Sequence, residues 1–307
     1  MITDVRNLSE GTVIDSDICI VGAGAAGITL AMELIGHDFS VNLLESGGLD
    51  FEDDVQALND GDCVSQHKVD LMWTRLRYFG GTTGHWGGNC APLDERDFET
   101  RSWVPDSGWP ISRKDLERFY PRAYRYCELP SDDYSVDHWA EISEKFRRSR
   151  IPVTGEEIGE KLFLKSPPTR FGDAYRADLA KPGSQCTVYL HANVVEIETG
   201  EDASEVVGLR TRDVSGRGCR FTARIFILAS GIENARLLLL SNKVRPNGLG
   251  NDHDVVGRYF MAHTTIRTGR AMLEVPKETV RFYGLDTWAT RFESGGAPFM
   301  NALQPTY

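Results

Sequence analysis

The sequence has few of the features that mark metal-binding or membrane-spanning chains. Its six cysteines include no Cys-x-x-Cys pair, so we predict neither a zinc or iron–sulfur site nor a disulfide scaffold, and we expect buried free thiols. Its longest apolar runs, such as IFILA and LLLL, are far shorter than the roughly 20 residues that cross a bilayer. We therefore expect no metal site and no integral membrane segment.

Basic residues are also in short supply. The 34 Lys and Arg residues face 45 Asp and Glu residues, and the net charge of −11 would repel nucleic acid, so no nucleic-acid partner is expected. The N-terminal residues lack a basic region with an apolar stretch and lack a twin arginine, which predicts a cytoplasmic protein unless it is exported with a partner. No repeat or low-complexity tract is visible, and 307 residues predict about two folded domains.

The strongest local pattern is a strand, a glycine turn and a helix near the N-terminus. Residues 16–21 (SDICIV) have strand composition, and VGAGAAG follows directly before the helical stretch ITLAMELIG. Gly22 allows the tight turn, Gly24 lets the backbone approach a pyrophosphate, and Gly27 lets the helix pack on the strand. The positive end of the helix dipole would then face the phosphates. The pattern predicts a dinucleotide-binding site.

An acidic residue stands where such a site needs one. Residues 39–44 (FSVNLL) form the second predicted strand, which ends in Glu45. A carboxylate there can accept both ribose hydroxyls of NAD or FAD and would repel the 2′-phosphate of NADP. The residues alone leave NAD and FAD open, and a glycine turn that serves packing alone is the alternative interpretation.

Two further stretches extend this interpretation. Residues 79–97 hold two glycine pairs, two threonines, one histidine and one tryptophan, and the many exposed N–H groups suit close contact with a flat or anionic ligand. An ordinary surface loop is the alternative. Residues 225–231 (IFILASG) run into IENARLLLLS, which again predicts strand, glycine turn and helix. The fold class is therefore α/β, with a discontinuous Rossmann-like domain and part of a second, α+β domain.

Five stretches together resemble one family in their order and spacing. They are VGAGAAG with Glu45, GGTTGHWGG, GWPIS at residues 108–112, ASGIENARLL at 229–238 and VGRYFMAH at 256–263. The chain resembles the N-terminal half of the glucose-methanol-choline flavoprotein oxidoreductases. Within that family it is most similar to bacterial sugar and polyol dehydrogenases and to pyranose oxidases.

The resemblance implies FAD as the cofactor. Some family members bind FAD covalently through a histidine at the position of His85, and others with a histidine there do not, so both states remain open. The implied cofactor-binding residues are Gly22, Gly24, Ala25, Ala26, Gly27, Glu45, Gly81, Thr82, Thr83, His85, Trp86, Gly87, Gly88, Asn89, Val194 and Gly231.

The resemblance also implies domain bounds and a reaction. The FAD-binding domain would comprise residues 12–100 and 182–262, and segments of the substrate domain would comprise 101–181 and 263–307. The family oxidises a primary or secondary alcohol, such as a sugar hydroxyl. A base takes the hydroxyl proton while the carbon-bound hydrogen passes as hydride to the flavin. The expected substrate is a small alcohol or sugar.

The catalytic base stays unassigned. In the family a C-terminal histidine serves, and no counterpart precedes the last residues NALQPTY. No motif identifies His138, His191, His253 or His263 as that base. We expect the chain to be completed by further residues or by a partner subunit that supplies this part or accepts electrons. The alternatives are a catalytically inactive flavin-binding or interaction subunit and, less compatible with the glycine-pair loop, an NAD-linked dehydrogenase.

Overall fold

The computed structural model describes residues 1–64, 71–151, 158–261 and 299–305. The chain divides into two compact units, one formed by residues 1–86 and 170–264 and the other by residues 87–169 and 265–307. The domain bounds expected from the family remain a prediction for the whole protein.

The described part of the chain contains ten strands and eight α-helices. The strands are β1 Ile2–Asp4, β2 Val13–Val21, β3 Val41–Leu44, β4 Asn89–Cys90, β5 Ile158–Lys165, β6 Cys186–Leu190, β7 Val194–Thr199, β8 Val206–Thr211, β9 Arg220–Leu228 and β10 Phe299–Pro305. The helices are α1 Ala25–Leu34, α2 Asp53–Gln56, α3 Arg113–Glu117, α4 Tyr120–Tyr126, α5 Val136–Ile142, α6 Glu144–Ser149, α7 Phe171–Ala180 and α8 Glu233–Leu240.

The first unit contains a seven-stranded sheet in the order β1-β6-β3-β2-β9-β8-β7. The five strands from β1 to β9 run parallel, whereas β8 and β7 join antiparallel at one edge. The central strands are apolar on both faces, as parallel strands between helices must be, and Ile20, Leu43 and Val188 are fully buried. Helix α1 packs against β2 and β3, and α7 packs against β6. The predicted α/β class with a Rossmann-like sheet is confirmed.

The strand order reverses direction beside β2. From β2 the chain moves through α1 to β3 and later to β6 on one side, while β9 pairs with β2 on the other side. The carboxyl ends of β2 and β9 therefore lie next to each other, and the backbone N–H of Ala229 donates to the carbonyl of Val21 at 2.8 Å. Ligands of open parallel sheets bind at such a switch point.

The second unit is built on a three-stranded antiparallel sheet in the order β10-β5-β4. Its apolar cluster includes Trp139, Phe146 and Leu164 from two helices and β5. Ser112 caps α3 through a reciprocal capping box with Asp115, a Ser-x-x-Asp spacing that is local in the sequence. Pro121 lies in the first turn of α4, where a proline costs no hydrogen bond, so the helix restarts there.

The structure also describes the six cysteines and the side chains that could bind a metal ion. None of the six cysteines, all of which lie in the described ranges, forms a disulfide. Over the described ranges, no set of three or more His, Cys, Asp or Glu side chains is arranged to hold a metal ion. Over the same ranges, no helix combines the length and the apolar content that crossing a membrane requires.

Candidate functional site

The turn between β2 and α1 depends on two glycines. Gly22 has a φ of +101°, and its N–H donates to the carbonyl of Leu44 at 2.8 Å. A Cβ atom on Gly27 would lie 1.8 Å from the carbonyl oxygen of Gly22, so the helix can approach the strand only without a side chain there. These contacts assign Gly22 to the turn and Gly27 to close packing.

Gly24 differs from both because nothing in the protein requires its missing side chain. Its φ of −82° is ordinary, and a Cβ atom there would meet no atom within 4 Å. It is the N-cap of α1, which begins with Ala25 and Ala26 and has no side-chain cap. The first N–H groups of a helix lack intrahelical partners. The open space at Gly24 therefore faces free donors and a positive dipole end, which suits a phosphate group.

Glu45 follows β3 and is almost completely buried, with 6% of its surface exposed. One carboxylate oxygen, Oε2, accepts the N–H of Ala23 at 3.1 Å, and the other, Oε1, accepts the N–H of Gly47 at 3.0 Å. Burial raises the pKa of Glu45, while these two N–H groups and the charge of Arg77 act in the opposite direction. A carboxylate has about four acceptor positions, so capacity remains for a ribose hydroxyl.

The first glycine pair of the second loop lies directly on this turn. Gly80 donates its N–H to the carbonyl of Ala23 at 2.8 Å, and a Cβ atom on Gly81 would approach the Cα of Gly24 to 3.2 Å. Residues Gly81–Gly84 then form one 3₁₀ turn. Two stretches separated by more than fifty positions in the sequence thus meet at the carboxyl end of β2.

Hydrogen bonds fix the rest of this loop. The hydroxyl of Thr83 donates to the carbonyl of Gly80 at 2.7 Å, and the N–H of His85 donates to the carbonyl of Thr82 at 3.1 Å. Arg170, which precedes α7, donates to the carbonyls of Thr83 at 2.8 Å and of Trp86 at 3.1 Å. These hydrogen bonds, within the loop and from Arg170, therefore fix the loop backbone.

His85 is exposed, as are Gly87 and Asn89. Burial of part of the ring and the positive charge of Arg170 lower the pKa of His85 below its usual value of 6.5. The imidazole is therefore neutral at pH 7 and carries a nitrogen lone pair.

The other predicted residues lie in several places. Gly231 follows β9 with a φ of +60° and open space at its Cβ position. Val194 begins β7 and packs on the apolar cluster that contains Val21 and Leu44. Residues 87–89 belong to the second unit, where the carbonyl of Gly88 accepts the N–H of Ser166 at 2.7 Å.

The structure adds a charged cluster that the sequence interpretation missed. Glu233, at the start of α8, binds the guanidinium of Arg75 and that of Arg77, the second at 2.5 Å. Arg77 is 8% exposed and also donates to Asn59 at 2.5 Å and to Ser46 at 3.2 Å. The cluster ties the segment before the glycine pair to the helix after β9. Two arginines spaced by one residue directly before YFGG were the available signal.

We expect this cluster to make the free energy of unfolding depend on pH in the acidic range. Burial acts to raise the pKa of Glu233, but Arg77, Arg75 and Arg236 outweigh it, and the net pKa lies below the usual 4.5. A carboxylate with a lowered folded-state pKa stabilises the fold above about pH 4.5, and this contribution is lost as the pH falls through the folded-state pKa. Glu233→Gln should lower the free energy of unfolding at pH 7 by about 2 kcal/mol. This value lies between the loss expected when one partner of a fully buried ion pair is removed and the smaller loss expected for an exposed ion pair.

Urea denaturation at several pH values measures this effect. The difference between the wild type and Glu233→Gln should shrink as the pH is lowered below 4.5, the usual pKa of that side chain. Glu205→Gln is the matched control, because Glu205 is exposed and should change little at any pH. A Glu233→Gln penalty that stays constant with pH would contradict the assignment.

The histidines that lack a motif have identifiable surroundings where the structure describes them. His191 is 4% exposed and sits between Asp4, with Nδ1 at 3.1 Å, and Glu52, with Nε2 at 2.8 Å. His138 is half-buried beside Asp133, and His253 is exposed. His263 lies outside the described residues. None of the three described histidines is placed at the glycine turns.

Comparison with known proteins gives weak but consistent similarities, although no family model matches the sequence. The chain is 26% identical to 6‴-hydroxyparomomycin C oxidase from Streptomyces lividus, over 79% of this chain and 53% of that protein. It is 24% identical to the fructose dehydrogenase large subunit from Gluconobacter japonicus, over 82% of this chain and 59% of that protein.

A solved structure is also similar. It is a formate oxidase from Aspergillus oryzae, studied for the modification of its FAD, with 16% identity, a TM-score of 0.46 and coverage of 76% of this chain and 48% of that one. The chain thus spans between about half and three fifths of the length of these relatives.

Proposed function

We infer that the chain is the FAD-binding portion of an alcohol or sugar oxidoreductase. Its similarity to oxidases and dehydrogenases of the glucose-methanol-choline type supports this inference. One observation carries the proposal. The Gly22–Gly27 turn, the Glu45 carboxylate and the Gly80–Gly81 pair meet at the switch point of a parallel sheet. This is where a dinucleotide cofactor binds in such folds.

The residues present fit two parts of the cofactor, the pyrophosphate and a ribose. The open space at Gly24 and the free first N–H groups of α1 fit the pyrophosphate. The remaining acceptor capacity of Glu45 fits a ribose hydroxyl, and its charge disfavours a 2′-phosphate. Val194 at the start of β7 and Gly231 after β9 are proposed to complete the cofactor site.

The loop at residues 80–86 favours FAD over NAD. The first glycine turn of a Rossmann domain fits the pyrophosphate of either NAD or FAD. The feature that we take to favour FAD is the second glycine-rich loop, which is hydrogen-bonded onto that turn. When bound, FAD supplies the two-electron redox chemistry. The chain's own residues bind and orient it, and Arg170 keeps the loop backbone in place. Neutral His85 is suited either to a covalent link or to a hydrogen bond.

The substrate class and the catalytic base are proposals for the whole protein, of which this chain is a part. The relatives named above act on a hydroxyparomomycin and on fructose, and one of them is called a large subunit. We propose a small alcohol or sugar as substrate. We also propose that the catalytic base lies in the part of the relatives that this chain does not span, whether in the same polypeptide or in a partner subunit.

Anaerobic mixing of the complete FAD-loaded protein, which includes the residues or the partner subunit that carry the proposed base, with fructose and other small alcohols tests the proposal. The expected result is loss of the yellow flavin absorbance with at least one of them, and an equal amount of carbonyl product. The same preparation, precipitated with acid and digested with trypsin, reports whether the peptide of residues 78–96 carries the flavin on His85. Bound FAD that no alcohol or sugar reduces would instead support an inactive flavin-binding subunit.

A further inference from the structure

Two cysteine thiols meet in the second unit, and the proposed function assigns a role to neither of them. Cys90 is the last residue of β4, and Cys127 directly follows α4 as its C-cap. Their side chains interact with each other, both are partly buried, and the Cys90 thiol donates to the carbonyl of Gly88 at 3.7 Å. The two thiols come from positions 37 residues apart in the sequence, so their contact is a product of the fold.

The backbone around both residues is already fixed. Cys90 pairs with Leu164 of β5, while the carbonyl of Cys127 accepts the hydroxyl of Thr169 at 3.2 Å. Thr169 in turn donates its N–H to the hydroxyl of Ser166 at 2.7 Å. Because Ser166 and Leu164 lie on or beside the same strand, one short segment holds both cysteines in position.

The two thiols differ in their surroundings. The hydrogen bond from the Cys90 thiol to the carbonyl of Gly88 gives its proton a partner in the fold. The interaction with Cys90 lowers the pKa of Cys127, whereas burial raises the pKa of Cys19 to about 12 and that of Cys186 to about 11. Because the thiolate is the reactive form of cysteine, we expect Cys127 to attack first and Cys90 to be the resolving thiol.

We propose that Cys90 and Cys127 form a redox-modification site, which a peroxide converts into a reversible disulfide that joins β4 to the end of α4. The Cys127 thiolate attacks one oxygen of hydrogen peroxide, the O–O bond breaks, and hydroxide leaves to give a sulfenic acid. Cys90 then attacks that sulfur, the S–O bond breaks, and the hydroxide leaves as water with the Cys90 proton. Two thiols lose two electrons in total, and the peroxide becomes two molecules of water.

Peptide mapping tests the site in the purified protein. The protein is reduced, treated with increasing hydrogen peroxide, blocked with N-ethylmaleimide and digested with trypsin. Cys90 and Cys127 fall in separate tryptic peptides, residues 78–96 and 126–145, each with one cysteine. We expect a linked pair of these peptides, two hydrogen atoms lighter than their sum, before any other cysteine is oxidised. Dithiothreitol should return both peptides to the free form.

Single variants separate the two roles. Cys90→Ser should abolish the link and leave a sulfenic acid on Cys127 that dimedone traps, whereas Cys127→Ser should abolish the link and give much less dimedone adduct on Cys90. Cys63→Ser is the matched control, because Cys63 is also partly buried but lies in the first unit, and it should leave the link unchanged. Oxidation of Cys63 or Cys219 while Cys90 and Cys127 remain thiols would overturn the proposal, as would equal dimedone labelling in the two serine variants.

Discussion

A Gly24→Val variant is expected to lose FAD binding while keeping its fold. The backbone at Gly24 is ordinary, and a Cβ atom there meets no protein atom within 4 Å, so the side chain would occupy the open space beside the first turn of α1. That space is the one we assign to the pyrophosphate, which needs direct contact with the backbone. The dissociation constant for FAD should rise roughly 100-fold or more, which corresponds to about 2.8 kcal/mol.

Titration of the apoprotein with FAD, followed by flavin fluorescence, measures this loss. The free energy of unfolding without FAD should fall by less than about 1 kcal/mol, the scale of a poorer N-cap residue. Gly61→Val is the matched control, because Gly61 also has open space at its Cβ position and lies elsewhere in the same unit. The control should bind FAD like the wild type. Wild-type affinity in Gly24→Val itself would show that the pyrophosphate does not lie there.

Gly27→Ala, unlike Gly24→Val, is expected to lose much of the stability of the fold. Its Cβ atom would lie 1.8 Å from the carbonyl oxygen of Gly22 and 3.0 Å from the carbonyl carbon. Both are backbone atoms that cannot rotate away, so α1 must move off the turn that follows β2. We expect the free energy of unfolding to fall by about 3 kcal/mol, at the upper end for overpacking.

Urea denaturation of the apoprotein compares Gly27→Ala with Gly24→Ala. Both variants add one methyl group to the same glycine motif, but only the methyl at residue 27 meets protein atoms. Gly24→Ala should therefore unfold close to the wild type and lose affinity for FAD. If the two alanine variants were equally stable, the assignment of Gly27 to close packing and of Gly24 to cofactor contact would be wrong.

The first strand, turn and helix could be predicted because their signal is local. Residues 13–21 and 25–34 show the apolar strand, the glycines and the helical stretch within one short window. The same holds for β9, Gly231 and α8, and for the Ser112 cap of α3. In each case neighbouring residues in the sequence determine the element, so pattern and propensity agree with the fold.

The contacts that assemble the candidate site are not local, and the sequence alone could not place them. The bond from Gly80 to Ala23 and the bond from Ala23 to Glu45 join three separate stretches. The resemblance suggested that these stretches work together, but nothing in their spacing predicts which N–H meets which oxygen. Arg77 and Glu233 are a further example, because a buried ion pair between distant residues leaves no periodic signal.

Glu45 also has a role that the motif does not indicate. Its carboxylate accepts two backbone N–H groups of its own chain, so it holds the end of β3 against the turn after β2. Removal of this side chain would leave buried donors unpaired as well as remove a ribose acceptor. A loss of affinity in a Glu45 variant therefore has two sources, which makes Gly24 the sharper probe of the cofactor site.

The most direct test of the cofactor assignment is a parallel titration of the purified wild-type protein with FAD and with NAD⁺, followed by calorimetry. Our account predicts that FAD binds with one molecule per chain, that NAD⁺ at the same concentrations does not compete, and that Gly24→Val abolishes the FAD signal. Saturable binding of NAD⁺ that excludes FAD would contradict the account, because the loop at residues 80–86 would then have been assigned to the wrong cofactor.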